Sequence, residues 1–138
     1  MKNYEAFATT ADVGIRFRGR DFAALYENAV AGLSALLFGE KGQEAPAASA
    51  IRHFSFRGDS AENVLVNLLA EVLSLAYQEK QRVVAMSCPR AGGRSLAATF
   101  RLATMEAFPE IDIKAVTYHK LRVVEKDGLK KASVLFDI

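Results

Sequence analysis

The sequence predicts an α+β domain in which two helices pack on a mixed or antiparallel sheet of about six strands. Apolar residues recur every three or four positions in two segments, residues 21–38 and 59–77, as in helices with one buried face. In several other segments they alternate with polar residues, as in half-buried strands. The later strands follow one another without a helix between them, which is typical of antiparallel hairpins in an α+β fold.

The first half of the chain is predicted to contain a strand, a helix, a loop and a second strand. Apolar residues alternate with polar or small ones in residues 13–18 and 51–57, so both are predicted strands. Asp21 is expected to cap the first helix, and Gly39 is expected to end it. Residues 39–50 have the Gly, Pro and Ser composition of a loop.

The second predicted helix carries the widest apolar stripe in the sequence. Asp59 and Glu62 have the spacing of a capping box, with Asp59 at the N-cap. Burying each large apolar side chain contributes roughly 1.5–3 kcal/mol. We therefore expect this helix to anchor the core.

In the rest of the chain, the sequence pattern predicts four strands and two tight turns. The turn sequences are rich in Gly and Pro, and Gly128 can adopt positive φ in a hairpin turn. The predicted strands are residues 82–88, 95–103, 111–125 and 131–138, with turns at 89–93 and 126–128. The predicted order is therefore β-α-β-α-β-β-β-β.

Length, charge and composition favour a single soluble domain over residues 1–138. The chain has 138 residues, 51% of them hydrophobic, and a net charge of +2. Lys and Arg are spread along the sequence, which gives no strong expectation of nonspecific nucleic-acid binding. Contact with an RNA-handling protein remains open.

The cysteine content and the N-terminus are typical of a cytoplasmic protein. Cys88 is the only cysteine, so it can form neither an internal disulfide nor a multi-cysteine zinc site. The first residues contain no apolar run of signal-peptide length. The longest apolar stretch, residues 64–77, is interrupted by polar residues and is too short to span a bilayer.

The usual motifs of enzymes do not occur in the sequence. It contains neither a Gly-x-Ser-x-Gly nucleophile motif nor a phosphate-binding glycine loop. Cys88 lies in an apolar strand, where a thiol usually behaves as a small hydrophobic residue. His53 and His119 are far apart, and neither has the spacing of a metal ligand to another His or Cys.

Asp12 and Asp137 are the carboxylates most suggestive of a site. Asp137 is penultimate, so the α-carboxylate of Ile138 follows directly. If Asp12 approached these two groups, three oxygen donors would repel one another unless a cation lay between them, and Ca²⁺ or Mg²⁺ prefers such ligands. The alternative is that Asp12 closes a turn and Asp137 belongs to a solvated chain end.

Three stretches of the sequence resemble signatures of the archease family. Residues 10–15 (TADVGI) resemble its N-terminal motif, and residues 114–119 (KAVTYH) resemble its second signature. Residues 136–138 (FDI) resemble the family's C-terminal ending. The two predicted helices fall where the family has its helices, so the resemblance covers nearly the whole chain.

The resemblance implies a function as well as a fold. Archeases are small α+β proteins built from strand–helix–strand–strand elements. They are accessory factors, not enzymes, that promote guanylylation and turnover of RtcB-type RNA ligases in tRNA splicing and RNA repair. The expected partner is therefore such a ligase, with nucleic acid contacted only indirectly and no membrane involved.

The resemblance also implies a metal site and a partner-binding edge. By motif position the ligands of a divalent cation would be Asp12, Asp137 and the carboxylate of Ile138. Ca²⁺ is expected, with Mg²⁺ or Mn²⁺ as alternatives. Lys114 and His119, predicted on opposite faces of one strand, would contact the ligase or its nucleotide, or else would be ordinary polar residues of an exposed sheet.

The sequence departs from the family at the N-terminal motif. The family usually reads Asp-His-Thr-Ala-Asp, whereas this chain has Ala8 and Thr9 at the first two positions. Losing an anionic donor should weaken metal binding or leave part of the coordination to water. Two alternatives therefore remain: a protein-binding or chaperone-like module of the same fold that works without metal, and, less favoured, a metal-dependent hydrolase.

Overall fold

The computed structural model of the protein describes residues 2–39 and 46–138. These residues form two α-helices and eight β-strands. The helices are α1 (Phe22–Phe38) and α2 (Ala61–Glu79). The strands are β1 (Tyr4–Ala8), β2 (Val13–Gly19), β3 (Ala50–Arg57), β4 (Gln81–Ala91), β5 (Ser95–Thr104), β6 (Ala115–Val116), β7 (Val124–Lys126) and β8 (Leu129–Asp137).

The strands form two antiparallel sheets, which confirms the predicted α+β class. The five-stranded sheet has the order β1-β2-β8-β6, and β7 also pairs with β8. The three-stranded sheet has the order β3-β5-β4. The strands are thus divided between two sheets instead of forming one of about six strands, and every described pairing is antiparallel.

Both helices contribute to one apolar core that joins the two sheets. α1 contacts β1 and β2 in the larger sheet and β4 in the smaller one, while α2 contacts the smaller sheet and β6. Leu33 of α1 and Leu68 of α2 are both fully buried. Among residues 2–39 and 46–138, no polar or charged residue is buried. Neither helix is long and apolar enough to cross a membrane.

The ends of α1 lie where the sequence predicted them. The Asp21 carboxylate accepts a hydrogen bond from the backbone N–H of Ala24 at 2.8 Å, which confirms it as the N-cap. Gly39 has φ of 79° and donates its N–H to the carbonyl oxygen of Ala35. Residues 40–45 of the predicted loop lie outside the described residues, and β3 begins at Ala50.

The predicted cap of α2 was wrong by one residue. Ser60, not Asp59, is the N-cap, and its hydroxyl accepts a hydrogen bond from the backbone N–H of Asn63 at 3.1 Å. Glu62 does not fold back on the helix start as a capping box requires. Its carboxylate instead accepts a hydrogen bond from the backbone N–H of Val123 at 2.7 Å.

The predicted long strand over residues 111–125 was also wrong. Two short strands, β6 and β7, pair with opposite ends of β8 along the same edge. Between them the chain leaves the ladder and binds α2, where Asn63 donates to the Tyr118 hydroxyl at 2.6 Å. Side chains of α2 therefore replace strand partners over this stretch.

A strand that the sequence analysis missed precedes the first predicted one. β1 pairs with β2 from Tyr4 opposite Phe17 to Ala8 opposite Val13. Tyr4 and Ala6 pack on the core, while Phe7 lies on the other face of the sheet. Because both faces carry apolar residues, the alternation that identifies a strand is absent.

The connection between β7 and β8 is a predicted feature that the structure confirms. Asp127 and Gly128 form a two-residue turn with φ values of 55° and 76°. Two positive φ values are typical of a type I′ hairpin turn. This hairpin sets the register of β8, whose other end carries Asp137.

Candidate functional site

Asp12 lies in the loop between β1 and β2, and its backbone is held by Thr9. The Thr9 N–H donates to the Asp12 carbonyl oxygen at 2.7 Å, and the Thr9 hydroxyl accepts from the Asp12 N–H at 2.8 Å. The Thr9 side chain, not the Asp12 carboxylate, therefore closes the turn. Asp12 is left exposed, with its carboxylate available for another role.

Asp137 is the last residue of β8 and is paired with Ala115 of β6. Its carbonyl oxygen accepts a hydrogen bond from the Lys114 N–H at 2.7 Å. The backbone of Asp137 is thus fixed by the sheet while its side chain is exposed. Ile138, which follows it, is 63% exposed.

The pairing of β2 with β8 brings Asp12 and Asp137 together. Val13 is opposite Phe136 in the last pair of this ladder, and Asp12 and Asp137 are the next residues beyond that pair. Val13 and Phe136 are buried, which directs their neighbours to the outer face of the sheet. Directly opposed residues have Cβ atoms about 4.5–5.5 Å apart, and like charges at that distance destabilise the pair.

No cationic side chain in the described part of the chain forms an ion pair with either carboxylate. Lys114 adjoins Asp137 through its backbone hydrogen bond, but its Nζ lies 2.7 Å from Asp112 Oδ2. The hydrogen bond to Asp112 and the charge of that carboxylate raise the pKa of Lys114. The opposed carboxylates are therefore left without a neutralising ammonium or guanidinium group.

The carboxylate oxygens at this end of the sheet fit a hard divalent cation, but they supply few protein ligands. Carboxylate oxygens are the donors that Ca²⁺ and Mg²⁺ prefer. Within residues 2–39 and 46–138, no three Asp, Glu, His or Cys side chains are grouped as a metal site. Beyond Asp12 and Asp137, further ligands would have to be the Ile138 carboxylate or water.

The two positions at which the chain departs from the family motif lie beside this end of the sheet. Ala8 ends β1 opposite Val13, at the same end of the sheet as the two carboxylates, and its methyl group offers no donor. The Thr9 hydroxyl already donates to the Asp12 carbonyl oxygen and accepts two backbone N–H groups. Neither residue replaces the missing acid and imidazole.

Lys114 and His119 do not lie on one strand as predicted. Lys114 immediately precedes β6, whereas His119 follows it and donates its N–H to the Thr117 hydroxyl at 3.3 Å. That hydroxyl donates to the Leu135 carbonyl oxygen of β8 at 2.9 Å. Both predicted residues are exposed, but only Lys114 adjoins Asp137.

Asn63 and Tyr118 belong to this region and were not singled out from the sequence. Their hydrogen bond at 2.6 Å joins the start of α2 to the segment after β6. Tyr118 is nevertheless 54% exposed, so its ring remains accessible beside His119. The only sequence signal for it was its place in the second motif, residues 114–119.

Comparisons with known proteins agree with the fold and the motifs. The model of the archease protein family matches residues 4–138. A curated relative, protein archease of Methanothermobacter thermautotrophicus, is 26% identical over 143 residues that cover all of both chains.

Two solved structures share the fold over the whole chain. The solution structure of protein 1598 of Methanobacterium thermoautotrophicum has a TM-score of 0.75 and 25% identity, with full coverage of both chains. The crystal structure of an archease from Thermotoga maritima, described as a possible chaperone, has a TM-score of 0.63 and 20% identity. It is matched over 98% of its length. With a family match from residue 4 to residue 138, this chain belongs to the archease family.

Proposed function

We propose that this protein is a cytoplasmic, non-catalytic accessory protein of an RtcB-type RNA ligase. In this role it binds a divalent cation and promotes guanylylation and turnover of the ligase in tRNA splicing or RNA repair. Membership of the archease family supports the general role. The observation that supports the proposal is the β2–β8 register, whose last pair is Val13 and Phe136, so that Asp12 and Asp137 are the next residues at the same end of the sheet.

The proposed metal ligands are Asp12, Asp137 and the α-carboxylate of Ile138. Ca²⁺ fits this all-oxygen set best because it accepts variable numbers of oxygen donors, including waters. The cation would supply the positive charge that the opposed carboxylates lack. It would also hold the β1–β2 turn against the end of β8 and so fix the surface offered to the ligase.

The surroundings of the other reactive side chains support a non-catalytic role. Burial, together with the charge of Glu27 and a hydrogen bond to it, raises the pKa of the Cys88 thiol to about 12. A thiol with so high a pKa is a poor nucleophile at neutral pH. His53 belongs to the three-stranded sheet, where its Nδ1 lies 3.0 Å from the Thr99 hydroxyl oxygen. Neither group belongs to the sheet that carries Asp12 and Asp137.

Calcium titration tests the metal site directly. Calorimetry should detect binding, and Ca²⁺ should raise the melting temperature relative to a chelator, because a ligand of the native state stabilises it by about 2.7 kcal/mol at 100 times its Kd. Asp12→Asn and Asp137→Asn should each remove this response. Each should also raise the melting temperature in chelator, because one of two opposed charges is gone.

Asp127→Asn is the matched control for these variants. It removes the same charge from an exposed turn at the other end of β8, and Asn tolerates positive φ. It should leave the calcium response unchanged. A calcium response that survives both Asp12→Asn and Asp137→Asn would remove these residues from the site.

Ligase guanylylation tests the proposed partner. An RtcB-type ligase from the same organism should form its guanylylated intermediate faster, and turn over repeatedly, when this protein and Ca²⁺ are added. Asp137→Asn should abolish the stimulation, whereas Asp127→Asn should not. Calcium binding without any stimulation of the ligase would contradict the partner while leaving the metal site intact.

A second candidate function is a chaperone-like module that binds proteins without metal. The specific observation in its favour is Ala8, which ends β1 at the same end of the sheet as Asp12 and Asp137 and has a methyl group where the family motif has an acid. This candidate predicts that the protein captures a partner or suppresses aggregation equally well in Ca²⁺ and in chelator. Loss of binding in chelator would exclude it.

A further inference from the structure

A groove on the outer face of the five-stranded sheet collects cationic side chains from separate parts of the chain. Its volume is about 340 Å³. One acidic residue, Glu5, lines it, together with six basic ones: Lys2, Arg16, Arg18, Lys120, Arg122 and Lys131. The whole sequence has 18 basic and 16 acidic residues. Six cations to one acid is therefore a strong local imbalance.

The ladder between β2 and β8 sets two of these cations directly against each other. Arg18 is opposite Lys131, and both residues share the outer face with Asp12 and Asp137. Like charges in opposed positions destabilise a strand pair. At about 3.3 Å per residue, six residues separate the acidic end of this face from the basic end by roughly 20 Å.

Half of these cations have no acidic neighbour among residues 2–39 and 46–138. Arg16 lies 3.9 Å from Glu5 and stacks over the Phe7 ring at 4.1 Å. For Lys120, Arg122 and Lys131, no acidic oxygen lies within 4.0 Å in the described part of the chain. These three side chains present their charge to solvent and to any anion in the groove.

We propose that this groove binds the sugar–phosphate backbone of a nucleic acid. Lysine and arginine side chains neutralise phosphates, and the guanidinium group also binds them through paired hydrogen bonds. Every nucleotide of a strand carries a phosphate charge whatever its base. An extended peptide presents only alternate side chains to one face, about 6.6 Å apart, and they are charged only where its sequence is acidic. Cations gathered from separate strands without a repeating pattern suit the uniformly charged backbone.

The lining also indicates which part of a nucleic acid would be contacted. Its aromatic residues, Tyr4 and Phe17, pack towards the core and offer no ring for base stacking. Recognition of single strands through their bases usually needs exposed aromatic rings. The groove should therefore bind the backbone with little preference for sequence.

Fluorescence anisotropy of a labelled single-stranded RNA of about 20 nucleotides, titrated with the full-length protein, tests the proposal. The wild type should bind in about 50 mM salt and lose affinity steeply by about 200 mM. The double variant Arg122→Gln/Lys131→Gln should bind at least about tenfold more weakly. Its plot of log affinity against log salt should be shallower by about 1.4, since each contact to a single strand contributes about 0.7.

The matched control is Arg57→Gln/Arg101→Gln, which removes the same charge from the outer face of β3 and β5. It should change RNA affinity less than about threefold and leave the slope within about 0.3 of the wild type. Lys131→Gln removes the charge opposite Arg18, so it should not lower the melting temperature. If the double variant fails to fold, Arg122→Gln alone should reduce the slope by about 0.7.

Three results would overturn the proposal. The first is an absence of salt-dependent RNA binding by the wild type. The second is an equal loss of affinity in the control pair, which would make net charge the cause. The third is binding of poly-glutamate in preference to RNA, which would assign the groove to an acidic protein.

Discussion

Gly14 is fixed by packing, not by the conformational freedom of glycine. A Cβ at this position would lie 2.4 Å from the Val134 carbonyl oxygen and 2.7 Å from Cζ of Phe7. The carbonyl belongs to the β8 backbone and cannot move without disturbing the ladder that aligns Asp12 with Asp137. The glycine of the TADVGI stretch therefore supports the site without touching it.

Gly14→Ala should lower the free energy of unfolding by about 2 kcal/mol, because overpacking of a filled position costs about 1–3 kcal/mol. Urea denaturation measures the change. Gly92→Ala is the control, since a Cβ there meets nothing within 4 Å and its φ is not in the left-handed region. Equal stability of the two variants would contradict this account of Gly14.

The Cys88 thiol should contribute to loss of stability at alkaline pH. Burial and Glu27 raise its pKa from an ordinary value of 9.0 to about 12. Between these values the unfolded chain releases the thiol proton while the folded protein keeps it. Stability from this group is therefore complete below about pH 9 and falls as pH rises towards about 12.

Urea denaturation at several pH values measures this contribution. Cys88→Ala should show a smaller loss of stability above about pH 9 than the wild type. It should keep the loss that comes from Tyr26, whose pKa burial raises from 10.0 to about 12. Identical pH profiles for Cys88→Ala and wild type would show that the buried thiol is not responsible.

Among the secondary-structure elements, the helices were the most predictable from sequence. The spacing of apolar residues located both of them, and α1 begins and ends at the residues the sequence indicated. The start of α2 was missed because Asp59, Ser60 and Glu62 offer two overlapping caps. The Glu62 carboxylate accepts a hydrogen bond from the Val123 N–H and is therefore not available for a capping box.

Ser60→Ala should destabilise the protein by about 1 kcal/mol, because it removes the acceptor for the Asn63 N–H at the start of α2. Thermal or urea denaturation measures the change. Asp59→Ala is the control and should have a much smaller effect, since Asp59 is not the cap. A larger loss with Asp59→Ala would restore the cap that the sequence predicted.

The strands were less predictable where tertiary contacts replaced regular alternation. β1 was missed because Phe7 makes its outer face apolar as well as its inner one. The segment over residues 111–125 has the composition of a strand, yet α2 binds its middle through Asn63 and Glu62. Contacts of this kind come from residues about 50 to 60 positions away, so local patterns do not reveal them.

At the scale of the whole molecule, the two ends of the outer sheet face differ in how far the sequence revealed them. The family motifs led us to expect Asp12 near the chain end. The basic groove could not, because Lys2, Arg16, Lys120 and Lys131 lie in four separate segments. Evenly distributed charge in a sequence can still become one patch when strands from both ends pair.

Residues added after Ile138 should weaken calcium binding, because they convert its α-carboxylate into a neutral peptide group. A short Gly-Ser extension at the C-terminus should reduce the affinity, with calorimetry as the measurement. The same extension before Met1 is the control and should have no effect. Unchanged affinity with the C-terminal extension would limit the protein ligands to Asp12 and Asp137.

The β2–β8 ladder has a consequence for how the protein is made. Its partners Val13 and Phe136 are about 120 residues apart in the chain, which gives the larger sheet a high contact order and predicts slow folding. During synthesis, β1 and β2 emerge early but remain without their central neighbour until β8 leaves the ribosome. Until that moment a hairpin with an open edge has to be kept from pairing with other nascent chains.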